Sequence, residues 1–584
     1  MHSDPFDSSS PHRASPAQVA GVRRIGWACL CLVLGLGAFR HASLERFAIV
    51  WDDALFFKRV AYNILHHGFA GWNQLDGPVF VNTSQLFQGI ALGLLWLFPG
   101  HYDAAVTFWG ALAIGACFPL LAAAAQANAP GVLLLFCLLQ APPVLLSLET
   151  GMETPTVLLV FALLSWRLSQ QRAEPSSFEL VLFQLVIYAL RPDAILLSLG
   201  CVVALQLLQR RYWQALGLVG ASVLGVALES LAFRAYYGTA FPLSMFLKLS
   251  PLSVYDSDYL SLDLVNKLKN LAQIALLLLP LAPLIAARRD RLNVSLCAAG
   301  SFFIAFHALT TYEIAAYHAR FYAPALPFFF LAALRGVESA YRKGWAQRLL
   351  VFGLLAGVLV LVLYFPNGIE NARRAQASRV TLFEYARYFV GVPLLALWML
   401  GGRGSGRAPA AWAIPVLVGG LAALQALSVF PRSSQIASDD ISNTQTVESH
   451  TADVGIDVIQ RCFLQPLQIV HSEIGLPGVM FPEWRVIDVT GLANPSIVEQ
   501  RFDFEALCRR DRPEFVFRPH PTHRALNLSI DQSPCVAENY VLAPLPRKSS
   551  CPLLVRKDLL QRYLDCGRLR AGEAAPAHGR ADRG

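Results

Sequence analysis

The chain has 584 residues, of which 55% are hydrophobic and only 15% are charged, whereas soluble domains carry roughly a quarter charged residues. This composition argues against a soluble protein. The net charge of +8 lies in short clusters between apolar runs and in the C-terminal tail, so no nucleic-acid partner is expected. About 20 consecutive apolar residues span a bilayer as a helix. The long apolar runs therefore predict a polytopic α-helical protein whose partner is the lipid bilayer.

The N-terminal part predicts a cytoplasmic tail and a first membrane crossing. Residues 1–21 are polar and rich in Ser, Pro and His, which is typical of disorder. Arg23 and Arg24 precede the apolar run 25–44, and no small-residue cleavage site follows. We interpret this run as an uncleaved transmembrane helix with a cytoplasmic N-terminus.

A transmembrane domain is predicted over residues 22–431, with about 11 to 13 crossings by hydrophobic length. Several apolar runs, 84–98, 178–190 and 194–208, are too short to cross alone. Half-helices of this kind are acceptable in a membrane protein where they line a cavity enclosed by protein.

Lysine and arginine clusters set the expected orientation, because cytoplasmic loops carry an excess of these residues. The clusters that begin at Arg210, Arg288, Arg342 and Arg403 alternate as cytoplasmic loops would. They place everything after residue 431 outside, and counting forward from Arg23–Arg24 places the first loop, residues 45–83, outside as well. Counting crossings forward from the N-terminus and backward from the later Lys and Arg clusters gives numbers that differ by one. We therefore expect that one segment between residues 84 and 150 does not span the membrane fully. We expect a bacterial inner-membrane protein whose C-terminal domain is periplasmic.

The sequence changes character at residue 432. The segments "PLQIVHSEIGLPGVMF", "WRVIDVTGLANP" and "PEFVFRPH" contain short β-branched runs bounded by Pro, Gly and Asn, and a helical stretch is expected over 496–510. These features predict a soluble α/β domain over residues 432–566 and a disordered basic tail over 567–584. Five cysteines lie in this part, and one or two disulfides are expected if it is extracytoplasmic.

An acidic pair, Asp52–Asp53, follows the first apolar run. One Asp can cap a surface helix predicted over 54–67, and Gly68 can end that helix in the left-handed conformation. Capping explains only one of the two carboxylates. A carboxylate at the membrane surface can also serve as a general base that deprotonates an acceptor hydroxyl.

The residues after this pair resemble the opening of the GT-C glycosyltransferases. The pattern D-D-A-x-x-x-x-R-x-A-x-N-x-x-x-x-G-x-x-x-x-N, followed by "VNTSQLFQGI", is most similar to the branch with the mycobacterial terminal β-arabinofuranosyltransferase and, more distantly, to protein O-mannosyltransferases. The matching positions are Asp52, Asp53, Arg59, Ala61, Asn63, Gly68, Asn73, Thr83 and Ser84. The resemblance implies a catalytic base at Asp52, with Asp53 as second choice. Arg59 and Asn63 would then contact sugar or acceptor.

A second motif, "SLETGMETPTVLLV", has two interpretations. Thr150 and Glu153 fit a capping box, and Thr154–Pro155 fits a helix start. The segment also resembles a G-[LM]-E-T motif of the same family, which implies that Glu153, or less favourably Glu149, binds sugar or acceptor.

Three cations are candidates for binding a lipid phosphate. Arg191 in "YALRPDAILL" lies between two apolar runs, where a charge is costly and indicates a functional site; the bland alternative is that Arg191 and Asp193 compensate helix dipoles. Lys248 and Arg320 end or follow similar runs, and either can simply snorkel to the membrane surface. The family resemblance of "YYGTAFPLSMFLK" and "AAYHARFYAPALP" implies phosphate contacts instead, with His318 beside the sugar or acceptor.

Another segment of the family pattern, "VIDVTGLANPSIV", contains Asp488. A strand followed by a turn at Gly491 and Asn494–Pro495 is the interpretation that we favour there.

The resemblance implies a membrane glycosyltransferase. It would move a sugar from a polyprenyl-phosphate donor to a cell-envelope glycan, glycolipid or protein acceptor outside the cell, with inversion. No closed ligand set for a metal is visible, and a divalent metal stays open. The first alternative is a transporter or flippase of polyprenyl-linked glycans, which broken helices would also suit. A second is a non-catalytic assembly partner that binds glycan.

Overall fold

In the computed structural model of the protein, the described residues are 52–170, 174–248, 257–311, 319–342 and 463–565, with short gaps inside the first and last ranges, together with Ile459. The first apolar run, the apolar runs after residue 343 and both predicted tails lie outside these ranges.

In the described part of the predicted membrane domain, the regular elements other than short 3₁₀ turns are α-helices. They are α1 (Asp52–His67), α2 (Gln85–Leu97), α3 (Tyr102–Ala125), α4 (Ala129–Leu139), α5 (Pro142–Leu145), α6 (Thr154–Leu168), α7 (Ser177–Leu190), α8 (Ile195–Leu208), α9 (Tyr212–Tyr237), α10 (Leu243–Lys248), α11 (Ser257–Leu278), α12 (Ala282–Ala286), α13 (Arg291–Thr310) and α14 (Leu326–Arg342). Among them α3, α9 and α13 are long and apolar enough to cross a bilayer. The chain is therefore a helical membrane protein, and the number of its crossings stays a prediction.

The short apolar runs are short helices. Helix α2 has 13 residues, and α7 and α8 have 14 each. Between α7 and α8 the chain is extended at Arg191 and makes one 3₁₀ turn over Pro192–Ala194. Proline has no N–H to continue the hydrogen-bond ladder, so the break falls where the sequence predicts it.

Helix α1 differs from its prediction in two ways. It begins at Asp52, so both acidic residues lie in its first turn, where carboxylates compensate the helix dipole. Its apolar face is covered by protein rather than by lipid: the Phe57 ring packs edge-on against Phe87, and Phe56 packs against Trp72. The helix ends as predicted, at Gly68 with φ +78°.

The C-terminal domain is an α/β unit around a five-stranded sheet of order β2-β1-β3-β5-β4. Strand β1 pairs in parallel with β2 and β3, and β5 pairs antiparallel with β3 and β4. Its elements are β1 (Gln468–His471), α15 (Gly475–Met480), β2 (Arg485–Asp488), α16 (Pro495–Gln500), α17 (Phe504–Asp511), β3 (Phe515–Phe517), α18 (Arg524–Asp531), α19 (Pro534–Asn539), β4 (Tyr540–Leu542) and β5 (Leu553–Arg556). The stretch expected as one helix, 496–510, covers most of α16 and most of α17.

A disulfide joins Cys508 to Cys535 and links α17 to α19. It closes a loop of 27 residues in the α/β domain. The sequence predicts one or two disulfides here, and one is present among the described residues. The remaining cysteines of this part, Cys462, Cys551 and Cys566, lie outside them.

Candidate functional site

A cavity of about 310 Å³ lies where helix α1 meets the broken α7–α8 segment. Four residues that the sequence singled out line it: Asp53, Glu153, Arg191 and Arg320. They come from parts of the chain separated by up to 267 positions. The fold thus gathers the first loop, the start of α6, the α7–α8 break and the segment before α14 around one space, as expected for broken helices that line a cavity.

Asp53 and Arg320 form an ion pair. The Nη2 atom of Arg320 donates to Asp53 Oδ2 at 2.7 Å, and its Nη1 atom contacts Met152 Sδ at 2.7 Å. The residue before it, Ala319, has φ +59°, a conformation that costs a non-glycine residue roughly 1–2 kcal/mol. Such local strain is typical of functional segments and persists only where the surroundings impose it.

Arg191 belongs to a second charged group in the same cavity. Its Nε atom lies 3.1 Å from both oxygens of Asp193, and its Nη1 atom donates to the Arg320 carbonyl at 3.3 Å. Asp193 Oδ2 also lies 2.9 Å from His307 Nε2. The expected dipole compensation is therefore a direct ion pair. The two arginines of the site are joined through a backbone carbonyl.

His307 is a lining residue that the sequence reasoning missed. It lies near the end of α13, its exposed fraction is 2%, and its Nδ1 atom is 2.8 Å from Thr311 Oγ1. Its ring stacks on Phe321 with centroids 5.8 Å apart. The signal was available, since an ionisable residue in an apolar run indicates a functional site by default.

Glu153 lines the cavity with a carboxylate that is only partly satisfied. The predicted capping box does not form: Thr150 Oγ1 donates to the Ser147 carbonyl, and Glu153 makes no capping hydrogen bond. Its exposed fraction is 7%, and its Oε2 atom has no hydrogen-bond partner among the described residues. Ser244 Oγ, also in the cavity wall, likewise has no hydrogen-bond partner among the described residues. Buried polar atoms without partners are costly, so both can accept or donate to a ligand.

Two predicted sugar or acceptor residues, Arg59 and Asn63, do not line this cavity. Both are buried, with exposed fractions of 1% and 0%. Asn63 Nδ2 donates to the carbonyls of Gly71 and Trp72 at 2.8 and 2.9 Å. Arg59 bonds backbone carbonyls of the first loop and of the α/β domain. In this structure their polar groups hold the backbone, which differs from the role that the resemblance implies.

Burial lowers the pKa of Arg59 to about 10, and nearby Glu483 opposes that shift. The group is still a cation at neutral pH. A buried cation needs several hydrogen-bond acceptors, and the carbonyls around it supply them.

Three other predicted site residues cannot be placed. The side chains of Asp52 and Lys248, and the whole of His318, lie outside the described part of the chain. Asp488 lies away from the cavity: its carboxylate accepts from Thr490 N at 2.7 Å, Thr490 Oγ1 at 2.6 Å and Ala493 N at 2.7 Å. The predicted strand and turn are confirmed there. Within the described ranges, no group of three or more His, Cys, Asp and Glu side chains could hold a metal ion.

Comparison with known proteins identifies solved structures that share the fold of this chain. No family model matches the chain, and no curated protein does. Among solved structures, ArnT from Cupriavidus metallidurans bound to undecaprenyl phosphate matches with TM-score 0.52 and 15% identity, over 93% of this chain and 98% of that one. The apo form of the same protein matches with TM-score 0.50 and 16% identity, over 92% and 98%. ArnT has the GT-C fold, so the GT-C expectation is confirmed at the level of fold. The arabinofuranosyltransferase branch stays a prediction.

Proposed function

We propose that the chain is a GT-C glycosyltransferase that transfers a sugar from a polyprenyl-phosphate donor to a hydroxyl of a cell-envelope acceptor. The observation that carries the proposal is the contact between Asp53 and Arg320 inside the cavity. Such a transfer needs a base for the acceptor and a cation for the leaving phosphate, and here the two are adjacent. The fold supports the same proposal, because ArnT in this fold binds undecaprenyl phosphate.

The two arginines suit a phosphate leaving group. Arginine presents a planar fork of donors that matches phosphate oxygens, and Arg191 and Arg320 are bridged within one site. Each is currently held by a carboxylate, Asp193 or Asp53, which keeps the cation in place before a donor enters. Lys248 is a third candidate at the end of α10.

Asp53 is the base in this proposal. An arginine next to a carboxylate favours its ionised form, which is the form that accepts a proton. The acceptor oxygen attacks the anomeric carbon and forms the new glycosidic bond while the bond from that carbon to the phosphate oxygen breaks. The acceptor proton passes to the Asp53 carboxylate, and the bonding electrons leave with the polyprenyl phosphate. One displacement of this kind inverts the anomeric configuration.

The disulfide supports the proposed orientation. Disulfides persist in oxidising compartments, and in bacteria the periplasm is one. This supports the proposal that the α/β domain, which carries Cys508–Cys535, lies on the periplasmic side of the inner membrane, as the Lys and Arg clusters of the sequence also predict. The cavity lies on the side of the membrane domain that meets this domain, since Leu492 of the α/β domain lines it.

The test is donor cleavage by the purified protein in proteoliposomes. A panel of synthetic undecaprenyl-phosphate pentoses and hexoses is supplied, and free undecaprenyl phosphate is measured by mass spectrometry. The proposal predicts time-dependent release for at least one donor. Movement of a donor across the bilayer with no cleavage would favour a flippase, and binding without cleavage or movement would favour a non-catalytic partner. Either result contradicts the proposal.

A further inference from the structure

Arg59 links the first loop to the α/β domain through hydrogen bonds to both. Arg59 Nε donates to the Trp72 carbonyl at 2.9 Å within the loop. Its two terminal nitrogens donate to three carbonyls of the α/β domain. Gly478, in the last turn of α15, accepts at 2.8 Å, and Phe481 and Trp484, just after that helix, accept at 3.4 and 3.3 Å. Because Arg59 lies two turns after Asp53 on the same helix, it ties the base-bearing helix to the α/β domain.

The edge of the sheet is fastened to the same loop. Strand β2 is an edge strand, and the side chain of Asn73 bonds both polar groups of Val486 in it: Oδ1 accepts from the amide at 2.9 Å, and Nδ2 donates to the carbonyl at 3.1 Å. Arg485, the residue before, pairs with Asp76 of the loop at 2.9 Å. The loop side chains thus complete an edge that would otherwise be unpaired.

This attachment directs one turn of the α/β domain into the cavity. Strand β2 ends at Asp488, whose carboxylate bonds the turn that follows, and Gly491 takes φ +89° in it. The next residue, Leu492, lines the cavity and packs against the apolar cluster that contains Phe56 and Val81, which line the same cavity. The α/β domain therefore supplies part of the wall of the cavity that Asp53 also lines.

The two walls differ in chemistry and in origin. The arginines come from the membrane helices and their connections, from which a lipid-linked donor must approach. Leu492 comes from the α/β domain. Met245, another lining residue, belongs to α10, a helix of the predicted membrane domain that contacts α16 of the α/β domain. A hydrophilic acceptor has to approach from this second side.

We infer that the α/β domain is the acceptor-side wall of the site, that Leu492 is a specificity-determining residue for acceptor size, and that Arg59 is the positioning residue that sets it. This inference rests on the proposed function. The acceptor is a hydroxyl-bearing compound, of which only a narrow end enters the cavity beside Leu492.

The experiment uses the full-length protein, a cleavable undecaprenyl-phosphate sugar and a series of alcohols as acceptor probes: methanol, octyl glucoside and octyl maltoside. Transfer to each alcohol and to water is measured by mass spectrometry. Leu492→Trp is expected to reduce transfer to the octyl glycosides roughly 10-fold, the scale by which a pocket discriminates small differences in size. Transfer to methanol and to water should be unchanged. Leu492→Ala should increase transfer to octyl maltoside.

The matched control is Leu542→Trp, a change to an exposed leucine on β4, at the opposite edge of the sheet from β2. It should leave all four rates unchanged. Arg59→Lys keeps the positive charge but loses the planar set of guanidinium donors. It should reduce transfer to the octyl glycosides more than transfer to water. Equal losses for all acceptors in the Leu492 and Arg59 variants, or none, would overturn the inference. If the wild-type protein cleaves no donor, the proposed function itself fails, which is a different result.

Discussion

Arg320 donates a 2.7 Å hydrogen bond to Asp53, although the two residues are 267 positions apart in the chain. Asp53 is fixed in the first turn of α1, and Arg320 follows a strained Ala319. The contact places the candidate base beside the candidate phosphate ligand. It is the relationship on which the proposed chemistry depends.

The two arginines of the cavity should determine affinity for the lipid phosphate. Arg191→Met and Arg320→Met are each expected to weaken binding of undecaprenyl phosphate roughly 10- to 100-fold, because hydrogen bonds to charged groups contribute about 1.5–3 kcal/mol. Native mass spectrometry in detergent micelles measures this. The control is Arg211→Met, which removes an exposed ion pair with Glu174. Wild-type affinity in both cavity variants would contradict the assignment.

The contact between Gly478 and Trp72 should be intolerant of added volume. A Cβ atom at Gly478 would lie 2.5 Å from Trp72 Cζ2, and Trp72 is fully buried. Gly478→Ala is expected to destabilise the attachment of the α/β domain by about 1–3 kcal/mol, the usual cost of overpacking. Limited proteolysis between the two parts and thermal unfolding report it. Gly220→Ala, where a Cβ meets nothing within 4 Å, should have no such effect.

The Cys508–Cys535 disulfide allows a test of the stability of the α/β domain and of the side of the membrane on which that domain lies. Closing a 27-residue loop contributes about 3–4 kcal/mol in the chain-entropy account, so Cys508→Ser with Cys535→Ser should lower the melting temperature of the α/β domain. In intact cells, a thiol reagent should label neither cysteine before reduction. Labelling of both without a reductant would contradict a periplasmic domain.

The contact of Glu483 with the first loop should depend on pH. Its carboxylate accepts from Gln74 Nε2 and from the Tyr62 hydroxyl, and these bonds together with nearby His67 and Arg59 lower the pKa of Glu483. A folded-state pKa below the unfolded value means stabilisation that is present above about pH 4.3 and is lost as the pH falls through the folded-state pKa.

The protection factors of the loop amides against hydrogen exchange should therefore fall below about pH 4 in the wild type, and Glu483→Gln should remove this dependence. Glu538→Gln, at an exposed residue of α19, is the control. If the exchange rates of the Glu483→Gln variant follow those of the wild type across this range, the contact does not stabilise the attachment.

The sequence predicts those parts of the fold and site that depend on local pattern. Hydrophobic runs, the break at Pro192 and the Gly68 helix end follow from residue chemistry alone. Asp53 and Arg191 could be singled out as charges beside apolar runs, and the resemblance to a known family added Glu153 and Arg320 as site residues. That they share one cavity could not be inferred, since it depends on how distant helices pack.

Arg59 and Leu492 show why the rest was out of reach. Arg59 is a charged residue in a candidate site loop, and nothing local reveals that three of its partners are carbonyls more than 400 positions away. Leu492 lies in an ordinary turn of a soluble domain, and its position in the cavity wall depends on the attachment of that domain. His307 was accessible in principle as an ionisable residue in an apolar run, but its partner Asp193 follows only from the three-dimensional contact.

The most direct test of the central claim is donor cleavage by Asp53→Asn, measured as release of undecaprenyl phosphate from a lipid-linked sugar that the wild type cleaves. General-base catalysis contributes roughly 10²- to 10⁴-fold, so a loss of that size is predicted while undecaprenyl phosphate still binds. Asp103→Asn, which removes the ion pair with Lys58 at the other side of α1, is the matched control and should keep its rate. Wild-type cleavage by Asp53→Asn would contradict the account.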